Sequence, residues 1–189
     1  MHKLVLVKHS VPEIDPALPA RQWRLSGEGR HRCTALAEKL RAYAPDLAIA
    51  STEPKAMATA EIVAASLGIE WTTVEDLHEH NRSKVPFLGD DEFQMAVAEL
   101  FGKPNQLIFG HETAEQARRR FAARVHQVVE QNHGRNIVLV AHGTVISLFA
   151  ASVAGLDAYD LWKHLALPSF VVMTLPELQL IEVVERVEI

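Results

Sequence analysis

Leu4-Val5-Leu6-Val7 runs directly into Lys8-His9-Ser10, and much later Ile137-Val138-Leu139-Val140-Ala141 runs directly into His142-Gly143. Both apolar runs have strand length and no polar alternation, the pattern of a central strand covered on both faces. Leu47-Ala48-Ile49-Ala50, followed by Ser51-Thr52-Glu53-Pro54, repeats the pattern. Helical periodicity separates these runs. Ser26 is placed to cap a helix that turns Cys33, Leu36, Ala37, Leu40 and Ala44 inward and stops at Pro45. Thr52 as N-cap, with Pro54 just inside, opens a second helix through Ala56, Ala60, Val63 and Leu67, closed by Gly68. Residues 70–74 read as a further strand. Thr113-Ala114-Glu115-Gln116 is a capping box for a long helix with Ala117, Phe121, Val125 and Val128 inward, ending by Gly134. A helix from about Val145 follows the His142 strand, and residues 170–175 and 178–184 form a closing pair of strands.

Strands that alternate with helices predict an α/β fold, a three-layer α/β/α sandwich around a mostly parallel sheet. The expected domain is single, over residues 1–189. Two stretches fall outside the alternation. Residues 10–25 hold Pro12, Pro16 and Pro19 and read as loop. The segment at about 80–112, with a short helix near 91–101, reads as an excursion over the sheet edge that selects the substrate.

Charge and cysteine content narrow the classes. The formal net charge of −5 provides no general basic surface, so neither nucleic acid nor anionic membrane is an expected partner. No apolar stretch approaches the roughly 20 residues that span a bilayer. The single Cys33 excludes an internal disulfide and suits a reducing compartment, so a cytoplasmic location is expected.

In parallel sheets of this kind, ligands bind beyond the carboxyl ends of the strands. Those ends carry Lys8-His9-Ser10, residues 51–55 and His142-Gly143, so three separate stretches converge. A lone histidine there is more readily structural; two at equivalent strand ends point to chemistry. A neutral imidazole can attack phosphorus and split hydrolysis into two easier steps. A second, cationic histidine can stabilise the transferring oxygens. Lys55 falls in the first turn of its helix, where the macrodipole disfavours a cation unless an anion is bound there. Lys8 can meet the same anion. The leaving oxygen needs a proton, and Glu79, Glu75, Asp76 and the acidic residues 90–92 are all placed to supply it.

These residues resemble the histidine phosphatase superfamily, which includes phosphoglycerate mutases and small phosphatases. Residues 4–10 resemble its opening strand and Arg-His-Gly signature, and Trp23-Arg24-Leu25-Ser26 with Gly29-Arg30 is similar to the start of its first helix. Ser51-Thr52-Glu53-Pro54-Lys55-Ala56 with Thr59-Ala60-Glu61 is similar to the second signature, Leu77-His78-Glu79 to the proton-donor stretch, and His111-Glu112-Thr113 to the start of a later helix. Residues 138–143 resemble the strand with the second catalytic histidine. The resemblance implies a phosphomonoester hydrolase acting on a small phosphorylated substrate, with no metal and no cofactor. It makes His9 the nucleophile, Glu79 the acid and base, and His142 the phosphoryl-stabilising residue. Lys8, Lys55 and Ser10 would contact the phosphate, the two lysines standing where the family has arginines. Lysine keeps the charge but loses the planar two-pronged fork.

Two other readings compete. The lysines suit a phospholigand-binding protein of the same fold with weak or no turnover, whereas a positioned acid suits catalysis. His78, His80 and His111 could together form a metal site, although no paired metal signature accompanies them. Neither the substrate's identity nor the oligomeric state is encoded in a motif.

Overall fold

The computed structural model describes residues 2–188; the two end residues of the expected domain lie outside them. Among the described residues, six strands form one sheet: β1 (His2–Lys8), β2 (Leu47–Ala50), β3 (Glu70–Thr73), β4 (Ile137–Ala141), β5 (Ser169–Leu175) and β6 (Leu180–Val184). Their order is β3-β2-β4-β1-β5-β6. The pairs among β3, β2, β4 and β1 are parallel, and β5 and β6 add antiparallel at one edge. This is the expected α/β fold with a mostly parallel sheet.

Among the described residues six α-helices cover it: α1 (Gly27–Leu40), α2 (Pro54–Leu67), α3 (Asp90–Gly102), α4 (Ala114–Gln131), α5 (Gly143–Ala154) and α6 (Ala158–His164). The period-two geometry of the strands divides the core into two layers. Val5, Val7, Ala48, Ala50, Val138 and Val140 face α1 and α2. Leu4, Leu6, Leu47, Ile49, Ile137 and Leu139 face the opposite layer with Phe121 of α4 and Phe149 of α5. A strand used on both faces needs an apolar residue at every position, which is why these runs lack alternation.

The helix ends follow local chemistry in most places. Ser26 accepts from the Gly29 amide at 2.9 Å, and Thr113 and Gln116 form the expected capping box. The second helix corrects its expected start: the N-cap is Glu53, not Thr52. Proline at the first helical position keeps its predecessor out of the α region, and Glu53 accordingly has extended backbone (φ −77°, ψ 136°). Helix α5 begins at Gly143, two residues earlier than expected. Helix α6 lies where the sequence reading placed no element. Its own signal is Asp157, which caps Asp160 N at 2.7 Å, with Lys163 and His164 in the last turn. Among the described residues, no helix is long and apolar enough to cross a membrane.

Candidate active site

Strands β1 and β4 end in register, and β2 ends one residue earlier. Lys8 pairs with Ala141 and Ala50 with Val140, so the next residues, His9, His142 and Ser51, leave the sheet side by side. The His9 amide donates to Ala141 O at 3.0 Å and the Ser51 amide to Val140 O at 2.9 Å. The imidazoles of His9 and His142 stand with centroids 5.2 Å apart at 64°. They open onto a cavity of about 600 Å³, whose wall includes Lys8, His9, Glu53, Lys55, Glu79 and His142.

His9 is 7% exposed, and its Nδ1 lies 2.7 Å from the Ser10 carbonyl oxygen. A carbonyl only accepts, so Nδ1 carries the hydrogen and Nε2 keeps its lone pair. Burial, then the charges of His142 and Lys55, holds His9 well below the usual histidine pKa. The imidazole is therefore neutral near pH 7. Burial and Lys55 do the same to His142. His142 is fully buried; its Nε2 meets Ser51 Oγ at 2.9 Å, and its Nδ1 has no partner among the described residues.

Glu79 reaches the N-terminus of α5. Its Oε2 accepts from Thr144 N at 3.1 Å, and its Oε1 from Val145 N at 3.3 Å and His80 N at 2.8 Å. Burial pushes its carboxyl up, but His142, Arg82 and these N–H donors outweigh burial and hold it below the usual range. The loop that carries Glu79 is clamped from α4. Arg120 donates to the carbonyls of Asp76 (2.8 Å), His78 (3.0 Å) and Glu79 (3.3 Å) and pairs with Glu112 at 2.7 Å. Glu112 in turn accepts from Asn81 N at 2.9 Å. The next turn closes on Gly110, whose φ of +86° and approach to Asn81 O leave no room for a side chain: a Cβ would lie 2.3 Å from that oxygen.

The two lysines are already engaged. Lys55 Nζ pairs with the Glu53 carboxylate and donates to Ala20 O at 2.8 Å. Glu53 also accepts from Glu79 N at 3.0 Å and lies 3.6 Å from His142 Nε2. Lys8 Nζ donates to Leu165 O at 2.6 Å. Ser10 departs from expectation. It is fully buried, its amide donates to Thr59 Oγ1 at 3.1 Å, and it does not line the cavity. The Ser10 side chain follows the chain behind His9 into the α1–α2 layer, so the expected Ser10 contact to phosphate is withdrawn. His78 and His80 direct ring nitrogens onto the carbonyls of Glu79 (2.8 Å) and Glu112 (2.7 Å), so these rings serve the loop's backbone.

Sequence reasoning passed over Glu53 as a site residue. Its signal is its place between Ser51 and Lys55, at the cap of a helix that begins at a strand end. Arg82 lines the cavity with its guanidinium 4.6 Å over the Phe93 ring. Trp23 lines the same wall, but its indole N–H is used inside the 10–25 loop, on Asp15 O and Leu18 O.

A family model, the histidine phosphatase superfamily (branch 1), matches residues 19–179. The match begins ten residues beyond His9 and contains Glu79 and His142. Among solved structures, a mycobacterial glucosyl-3-phosphoglycerate phosphatase in complex with VO3 is 20% identical, with a TM-score of 0.79 over 98% of this chain and 99% of that one. The phosphoserine phosphatase of Entamoeba histolytica, in complex with 3-phosphoglyceric acid, is 16% identical with a TM-score of 0.78 over 97% of both chains. Bacillus stearothermophilus YhfR is 20% identical with a TM-score of 0.78 over 98% and 96%. No curated protein matches the chain in sequence.

Proposed function

From the premise that this chain belongs to the histidine phosphatase superfamily, we propose that it hydrolyses small phosphomonoesters through a phosphohistidine at His9. The observation that carries this reading is the state of His9: neutral, with Nδ1–H held by Ser10 O and a lone pair on Nε2, at the wall of a cavity shared with Glu79 and His142. In the first step Nε2 bonds to phosphorus, the ester P–O bond breaks, and the leaving oxygen takes a proton from Glu79. In the second, water gives a proton to Glu79 and attacks phosphorus, and the P–N bond breaks to release inorganic phosphate.

Glu79 is a carboxylate in the free site. A phosphate dianion beside it raises its pKa by like-charge repulsion, which supplies the protonated acid when substrate is bound. His142 Nε2 shares a hydrogen bond with Ser51 Oγ, and in the tautomer where Ser51 donates, the hydrogen on Nδ1 is the one given to a phosphoryl oxygen. Lys8 and Lys55 add positive charge around that oxygen set. Two of the similar structures are named as phosphatases of small phosphorylated metabolites, which supports a substrate of that size in a cavity of about 600 Å³. The reaction needs no metal or cofactor, and the proposed site of action is the cytoplasm.

The pairing of Glu53 with Lys55 favours a second reading, a phospholigand-binding protein without turnover. One experiment separates the two. Rapid quench with a phosphate-labelled monoester is expected to trap an acid-labile phosphoryl group on the chain, and His9→Ala to abolish it. Label on serine or aspartate would overturn the mechanism, and saturable binding without label would establish the binding protein.

A further inference from the structure

If the pocket holds a phosphate, its two lysines, Lys8 at the end of β1 and Lys55 in the first turn of α2, are poorly free to grip it. The Lys55 charge is balanced by Glu53, and two of its three N–H groups already point at Glu53 and Ala20 O. Lys8 is tied to Leu165 O. Neither offers the planar fork that fixes two phosphoryl oxygens at once.

Arg82 differs from both. It is half-buried in the cavity wall, and its guanidinium has neither a hydrogen bond nor an ion pair among the described residues. Its Cζ lies 4.6 Å over the Phe93 ring. Stacking of that kind fixes the plane of the guanidinium and leaves its N–H edge available. Its charge acts on Glu79 and His142, so it stands close to the reacting groups. Its backbone is held: Asn81 N donates to Glu112, His111 N donates to Asn81 O at 2.7 Å, and Ser83 Oγ donates to Asn81 Oδ1 at 3.1 Å. Gly110 closes against the same turn. The fork is thus built in before any ligand arrives, which lowers the entropy lost on binding.

We propose that Arg82, on the segment between β3 and α3, supplies the guanidinium fork that grips the phosphoryl oxygens, a role Lys8 and Lys55 do not fill. The phosphoryl group is then clamped between His9 and His142 at the sheet and Arg82 on the lid. This rests on the phosphatase reading for its biological sense, but phosphate binding tests it without turnover.

Trp23 and Trp162 line the cavity, so indole fluorescence of the full chain can follow titration with inorganic phosphate and with orthovanadate. Neither ligand has a distal group, so only phosphoryl-type contacts are measured. Arg82→Gln is expected to weaken both by on the order of tenfold to a hundredfold, the range for loss of charge-assisted hydrogen bonds. Arg82→Lys should recover only part of the loss, since it restores charge but not the fork. Lys55→Gln should weaken binding less than Arg82→Gln, and Lys84→Gln, which removes an exposed charge of the same segment, should leave it unchanged. Circular dichroism on Arg82→Lys controls for folding. Unchanged affinity in Arg82→Gln, or full recovery in Arg82→Lys, would overturn the proposal. Weakened binding in a chain that never forms phosphohistidine would sink the hydrolytic reading and leave the Arg82 grip standing.

Discussion

The Lys8 ammonium leaves water at the end of a buried strand and gains the Leu165 carbonyl at 2.6 Å. Burial outweighs the attraction of Glu79 and lowers its pKa from 10.5 to about 8. Its charge therefore fades as the pH rises through about 8, while a phosphomonoester is already dianionic. KM for such a substrate is expected to rise from pH 7.5 to 9.5 in the wild type and to stay level in Lys8→Arg, whose guanidinium does not titrate there. Parallel profiles would remove Lys8 from the phosphate site. At this scale the resemblance pointed to His9, Glu79 and His142, and the structure brings them to one cavity. It could not show that Glu53 engages Lys55, because Glu53 reads as an ordinary acidic residue until its helix is docked against β4.

Between residue and fold stand the elements that aim the site. Helix α4 contributes no group to the cavity wall, yet its Arg120 holds three carbonyls of the Glu79 loop. Removing that fork leaves several inward carbonyls unmet and frees the loop. Arg120→Met is expected to cost about 1.5–3 kcal/mol of stability, the scale for hydrogen bonds to a charged group. It should also lower kcat of the fully folded protein more than it raises KM; a stability loss with kcat intact would confine Arg120 to a structural role. The Ser26 cap of α1, the capping box of α4 and the apolar periodicities of both are local and were legible in sequence. Helix α6 was not, because seven residues give less than two turns of periodicity and only Asp157 marks its start. The N-cap shift from Thr52 to Glu53 is also local, a consequence of Pro54.

Across the whole molecule, carboxylates bound by cations and amides tie stability to pH. Burial pushes Glu112 up, but its hydrogen bond and ion pair with Arg120 prevail, and its pKa is lowered; Glu79 is lowered as well. For such groups the unfolded chain takes up protons first. The stability they contribute is present above the ordinary carboxylate pKa of about 4.3 and is lost as pH falls through their lower folded values. Urea midpoints are expected to fall steeply below about pH 4.5 and less steeply in Glu112→Gln, which starts from a lower stability. An unchanged slope would mean that this pair does not drive the acid response.

Read alone, the sequence determined the two-layer core and the positions of His9 and His142 at strand ends. Buried strands and helix caps are short-range patterns, and parallel topology follows from their alternation. Only the tertiary structure decided the chemical state of those groups. The inward turn of Ser10 and the guanidinium of Arg82, without a partner among the described residues, arise where segments distant in sequence meet, and the near-neighbour contacts of His9 with Ser10 O and of Glu53 with Lys55 take their chemical state from the same exclusion of water. Desolvation and charge partners are properties of that packing, and no local pattern carries them.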